Sequence, residues 1–366
     1  MPAPRLIPAL AAGLLLICNP LLAGPLHAAE ALPPTQPLQG PGGSNYAHAD
    51  VRQWHFSAEG NEYWVFTPQR PAPSSAPVVV FTHGWSVMQP DLYRAWIEHI
   101  VRRGAILIYP RYQATLKTPA AEFLPNAADS VRRAIADLQA GKLGVKPELE
   151  HVAYVGHSAG GLIASGLAAS WQRLGAPRPR ALMAVEPGKS SGPRWRQVPL
   201  EPLANIPAGT LLLAICGDED ERVACDDARR IYAESTQVAP RDKDLLMLRS
   251  DRHGSPPLLA NHAAPTAPRF DPRYPPSDSS SWLLNRVQER VKQRLKQGQP
   301  SAHNALATDA LDWFGPWKLF DALCDAAFYG QDRDYALGGG PAQLSMGRWS
   351  DGTPVKAMQQ LSAPAP

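Results

Sequence analysis

The chain is short of several features that would mark particular classes of protein. Charge is sparse and balanced, with 36 Lys+Arg against 33 Asp+Glu in 366 residues and a formal net charge of +3. No contiguous block of Lys or Arg interrupts that scatter, which removes the basic stripe by which nucleic-acid binders meet phosphate. No segment repeats. The one apolar stretch of near-membrane length, residues 6–22, is broken by Pro8 and Pro20, whereas a spanning helix needs about 20 predominantly apolar residues. Cysteine is scarce: four residues, one of them (Cys18) inside that stretch.

Those absences leave an ordinary globular chain with 44% hydrophobic residues and 39 prolines, the latter concentrated outside the apolar runs. The N-terminus reads as an export signal over 1–31. Arg5 supplies the positive end, residues 6–22 the apolar region and Ala29-Glu30-Ala31 a small-x-small cleavage site. Ile17 before Cys18 departs from the small residue of a lipoprotein signal. Residues 32–45 are Pro/Gly-rich and predict an unstructured leader. Export, to a periplasmic or extracellular space, permits disulfides. Cys216 and Cys225 flank one acidic loop and are placed to pin it, which leaves Cys324 free; three reduced cysteines are the alternative.

The remainder, 46–366, predicts one α/β domain. Alternating segments at 51–56 and 62–66 suggest an antiparallel pair at a sheet edge. Continuous apolar runs at 77–81, 105–109, 181–185, 210–215 and 245–248 read as strands buried on both faces. Helices are expected at 91–103, 127–138 and 222–233. Strands alternating with helices predict a doubly wound, mostly parallel sheet with flanking helices.

One stretch organises the rest: His151-Val152-Ala153-Tyr154-Val155, then Gly156-His157-Ser158-Ala159-Gly160-Gly161 and a run of small residues. It predicts strand, sharp turn and helix, the context in which a serine sits exposed on a strained corner. A Cβ at either flanking glycine would clash as the chain doubles back. A serine hydroxyl attacks only when a base takes its proton and a carboxylate orients the base. Asp220 is the first choice of acid, with Asp218 and Glu186 as alternatives. His253 is the first choice of base, a few residues past the last strand and before Gly254; His262, nearby on a Pro-rich segment, is the second. The N–H groups of Ala159 and Trp85 are the candidate oxyanion donors. His83, Gly84 and Trp85, after the 77–81 strand, are the candidate substrate pocket.

Together these residues resemble the α/β-hydrolase superfamily over roughly residues 50–255, nearest to the secreted esterases of its dienelactone-hydrolase-like, cutinase-like and chlorophyllase-like groups. Serine at the elbow speaks against dienelactone hydrolase and dehalogenase chemistry. The resemblance implies an eight-stranded type of sheet and hydrolysis of a small-molecule or lipid-like ester, with no cofactor and no metal. A lipase, polyester hydrolase or peptidase of the same fold, or an exported binding protein without catalysis, are the other readings. Residues 255–366 exceed the minimal fold and predict a C-terminal helical extension or cap. Within it 282–295 has a basic outer face, and 311–328 forms an amphipathic helix with Trp313, Phe314, Trp317 and Phe320.

Overall fold

In a computed structural model, described for residues 30–57, 61–194, 197–269 and 308–361, nine strands form one sheet in the order β1-β2-β4-β3-β5-β6-β7-β8-β9. They are β1 (Asp50–Phe56), β2 (Tyr63–Gln69), β3 (Ser75–Thr82), β4 (Ile106–Pro110), β5 (Lys146–His157), β6 (Ala181–Val185), β7 (Leu211–Gly217), β8 (Lys243–Leu248) and β9 (Gln359–Gln360). β1, β2 and β4 pair antiparallel, and β9 adds antiparallel to β8. Every pairing between β4 and β8 is parallel. The doubly wound sheet predicted from the apolar runs is present.

Continuous apolar strands fit because both faces of the sheet are covered. Along β3, Val78 and Val80 enter one core while Val79 and Phe81 enter the other, the two-residue alternation of an extended chain. The first core is closed by α2 (Phe123–Gln139), α3 (Ala159–Ala169) and α5 (Asp226–Glu234), with the short α4 (Trp171–Leu174) after α3. The second is closed by α1 (Arg94–Arg102) and by the C-terminal region.

That region answers the question left by the extra residues. The helix expected at 311–328 is two, α6 (Ala310–Phe314) and α7 (Pro316–Tyr329). Pro316 has no N–H to continue the ladder, and Gly315 sits where a Cβ would come within 2.3 Å of Leu311 O. Asp309 and Asp312 cap α6 reciprocally. α7 buries Trp317, Leu319, Phe320 and Leu323 in the second core, so this helix of the extension is a flank that completes the fold.

Two other expectations change. Residues 32–45 carry no helix or strand, yet they are tied to the body: Leu32 N–H donates to Ser350 Oγ and Gly42 N–H to Asp321 Oδ2. The helix expected at 222–233 starts at Asp226, because Ala224 turns to φ +52° and Cys225 closes a disulfide. The proposed signal segment through residue 29 and the basic 282–295 segment lie outside the described residues. Among the described residues no helix is long and apolar enough to cross a membrane.

Candidate active site

Chemistry in an open α/β sheet gathers where parallel strands end, and five loops converge there. At the end of β5, Ser158 takes φ +57° and ψ −127°, a conformation that L-residues avoid, and α3 begins at the next residue. The glycines permit it. A Cβ on Gly156 would lie 2.2 Å from Gly160 O, and one on Gly160 would lie 2.1 Å from Thr82 O. The Thr82 hydroxyl donates to Gly160 O at 2.7 Å, locking the turn to β3. Ser158 N–H donates to Val185 O, and Gly161 and Gly188 N–H donate to Ser158 O. The predicted elbow is there, strained and braced from both sides.

The base is where the structure departs from the first expectation. His253 does not reach Ser158. It sits at the tip of a small hairpin closed by the Asp251–Leu258 bridge, and its Nε2 pairs with Asp351 at 2.7 Å on the surface. The chain then returns. Ala260 N–H donates to Ser250 Oγ, Glu219 N–H donates to Ala260 O, and the Ser250 hydroxyl donates to Asp218 Oδ1. This clamp delivers His262 over the elbow, with Nε2 2.9 Å from Ser158 Oγ and Nδ1 2.8 Å from Asp220 Oδ2. Nδ1–H donates to the carboxylate, which leaves Nε2 to accept the serine proton.

Asp220, the preferred acid, is in position. Its side chain is buried and its other oxygen accepts the N–H groups of Arg222 and Val223. The Cys216–Cys225 disulfide closes the loop that carries it, with Cα atoms 5.3 Å apart. Cys324 is free, and burial pushes its thiol well above the usual range. Asp218 instead holds Ser250. Glu186 lies beside His262 but beyond hydrogen-bond reach, its Oε2 3.6 Å from Nδ1.

The loop after β3 lies against the serine: a Cβ on Gly84 would be 3.5 Å from Ser158 Cβ. Its amides are nearly all engaged. Gly84 N–H donates to Tyr93 Oη, Ser86 N–H to Gln113 Oε1 and Val87 N–H to Gly84 O. Trp85 N–H has no acceptor among the described residues, nor has Ala159 N–H at the first turn of α3, where helix geometry leaves it free. The Trp85 indole packs edge-on against Phe123. His83, expected to line the pocket, is wholly buried beneath the loop and stacks on Tyr112 with ring centroids 4.0 Å apart. Its Nδ1–H donates to Gly84 O, and burial lowers its pKa to about 3. It supports the loop from within.

Tyr93 was invisible as a site residue in the sequence, whereas His157, beside Ser158, reads there as a residue that points away and helps hold the elbow. His157 Nε2–H donates to the carbonyl of His262, and its Nδ1 accepts the Tyr93 hydroxyl proton at 2.8 Å. Burial holds the imidazole neutral, well below its usual pKa. One hydrogen-bonded chain thus runs from Gly84 through Tyr93 and His157 to the backbone of His262. His157, Glu186 and His262 do offer ligand atoms within 4.8 Å of one another. The two imidazole nitrogens in that group are spent on the His262 carbonyl and on Asp220, so the cluster belongs to the hydrogen-bond network.

Residues 42–200 match the family model described as chlorophyllase, a stretch that holds the β3 loop and the elbow but ends before Asp220 and His262. No curated protein matches the chain. Among solved structures, an esterase of Rhizomucor miehei is similar at 13% identity and TM-score 0.47, over 69% of this chain and 84% of that one. An α/β hydrolase from a Medee basin deep-sea metagenome library is similar at 16% and 0.44, over 56% and 84%. An esterase from the archaeon Pyrobaculum calidifontis is similar at 19% and 0.41, over 56% and 75%. With β1 to β8 in the order 1-2-4-3-5-6-7-8 and a strained serine leaving the fifth strand inside the matched stretch, this chain has the α/β-hydrolase fold.

Proposed function

We propose that the protein is an exported serine esterase that cleaves carboxylic esters through an acyl-enzyme on Ser158. The observation that carries this reading is His262, which bridges Ser158 Oγ and the buried Asp220 carboxylate through opposite ring nitrogens at 2.9 and 2.8 Å. His262 Nε2 takes the hydroxyl proton as Ser158 Oγ attacks the ester carbonyl. Asp220 holds the ring in the required tautomer and offsets the charge of the imidazolium. The oxyanion rests on Trp85 and Ala159 N–H, neither of which has an acceptor among the described residues. His262 then protonates the departing alkoxide, and a water that it deprotonates releases the acid. The disulfide around Asp220 supports export to an oxidising compartment.

A fluorophosphonate probe is expected to label Ser158, and Ser158→Ala is expected to abolish both labelling and hydrolysis of short p-nitrophenyl esters while thermal unfolding stays unchanged. Turnover retained in that variant overturns the reading. A panel of ester chain lengths set against peptide substrates then separates esterase from lipase, polyester hydrolase and peptidase.

A further inference from the structure

Two carboxyl groups flank the ring of His262, and the mechanism above uses one. Glu186 directly follows β6, its backbone turned to φ +45° and its N–H donating to Ile215 O at 2.7 Å. The side chain is wholly buried, and neither oxygen has a hydrogen-bond partner among the described residues. Oε2 lies 3.6 Å from His262 Nδ1 and 3.5 Å from His157 Nε2. A buried polar group without a partner is destabilising, and packing alone would favour an apolar side chain in this space. A carboxyl set on the open flank of Nδ1 has a chemical use instead.

We propose that Glu186 is a positioning residue for the same reaction, a reserve acid for His262 that takes over Nδ1 when Asp220 does not hold it. The inference rests on the esterase reading above. The ionisable groups facing Glu186 are His157 at the end of β5, Asp220 and His262 on their loops and Tyr93 before α1, with Arg222 acting on His157 from further out. With Asp220 ionised beside it, Glu186 keeps its proton, since burial and that neighbouring charge both raise its pKa well above the usual range. Removing the Asp220 charge removes one of those causes. Glu186 then loses its proton to solvent at higher pH, and its carboxylate accepts Nδ1–H, which restores the tautomer in which Nε2 is the base.

The test compares wild type, Glu186→Gln, Asp220→Ala and the double variant on p-nitrophenyl acetate from pH 6 to 10, corrected for spontaneous hydrolysis. Asp220→Ser is run in parallel, because a hydroxyl there can still accept from the Arg222 and Val223 amides and keep the loop capped. Glu186→Gln alone is expected to stay within about threefold of wild type. Asp220→Ala is expected to fall by about 10²-fold at pH 7 and to recover as pH rises, and adding Glu186→Gln is expected to remove the recovery and about tenfold more activity. A structural role for Glu186 would lower both backgrounds equally and leave the profile shape alone. Superimposable profiles for Asp220→Ala and Asp220→Ala/Glu186→Gln, or for the serine pair, overturn the proposal. Fluorophosphonate labelling of wild type runs beside them: labelled wild type with superimposable profiles sinks Glu186 alone, and unlabelled wild type sinks the esterase reading with it.

Discussion

His253 and His262 follow the same strand nine positions apart, and each holds a carboxylate at nearly the same distance, 2.7 Å to Asp351 and 2.8 Å to Asp220. What separates them is burial and a third partner. The first pair has side chains 38% and 45% exposed, and its imidazole faces solvent. The second has side chains 15% and 0% exposed, with Ser158 Oγ on the opposite ring nitrogen. A His–carboxylate distance therefore says little about chemistry. An exposed pair competes with water and salt, whereas a buried one fixes a tautomer that only one proton donor can exploit.

The comparison predicts its own largest test. His262→Ala is expected to lower ester turnover by about 10³-fold or more, and rates near wild type in that variant would erase the distinction between the two loops. Asp220→Asn is expected to be nearly as damaging and worse than Asp220→Ala. The amide oxygen will keep the Arg222 and Val223 N–H groups, which turns its NH₂ toward His262 Nδ1 and forces Nε2 to carry the proton. Equal rates for the alanine and asparagine variants would show that the tautomer is not what Asp220 supplies.

Replacing Cys216 and Cys225 with serine opens the loop around Asp220. Chain entropy for a ring of this size predicts a loss of about 3 kcal/mol, read by denaturant unfolding. A loss below about 1 kcal/mol would mean that the surrounding contacts, not the cross-link, hold the acid in place.

His83 sharpens the comparison from the other side, as a histidine that is buried without any acid. Its folded pKa of about 3 lies below the ordinary histidine value of 6.5, so between those values the unfolded chain binds a proton that the native state refuses. Stability then rises with pH across that window and falls on acidification, by up to about 1.4 kcal/mol per unit from this group. His83→Phe is expected to flatten the slope of unfolding free energy between pH 6.5 and 3, and an unchanged slope would refute the assignment. The smallest effect belongs to the surface pair: His253→Ala should leave turnover within about twofold of wild type.

Much of this is legible in the sequence. The parallel strands announce themselves because each is apolar on both faces, and Gly156 and Gly160 announce the elbow because a Cβ at either would clash there. Asp220 could be chosen from the acidic loop between Cys216 and Cys225. His262 could not be preferred to His253, because the decision lies in the return from Leu258 to Ala260 and in the amide, hydroxyl and carboxylate contacts among Asp218, Glu219, Ser250 and Ala260. His83 looked like a pocket residue for a related reason. Its place in the sequence is right, and only the stacking of Tyr112 shows that the ring points inward.

The sequence by itself determined the class of sheet, the sharp corner at Ser158 and the chain order of that serine, the acidic loop and the histidines, since these follow from local patterns of glycine and apolar residues. The tertiary structure decided which histidine meets Ser158, that Glu186 stands beside it, and that α7 closes the second core. Those choices depend on contacts between segments distant in the chain, and no local spacing encodes which loop folds out to water and which folds back.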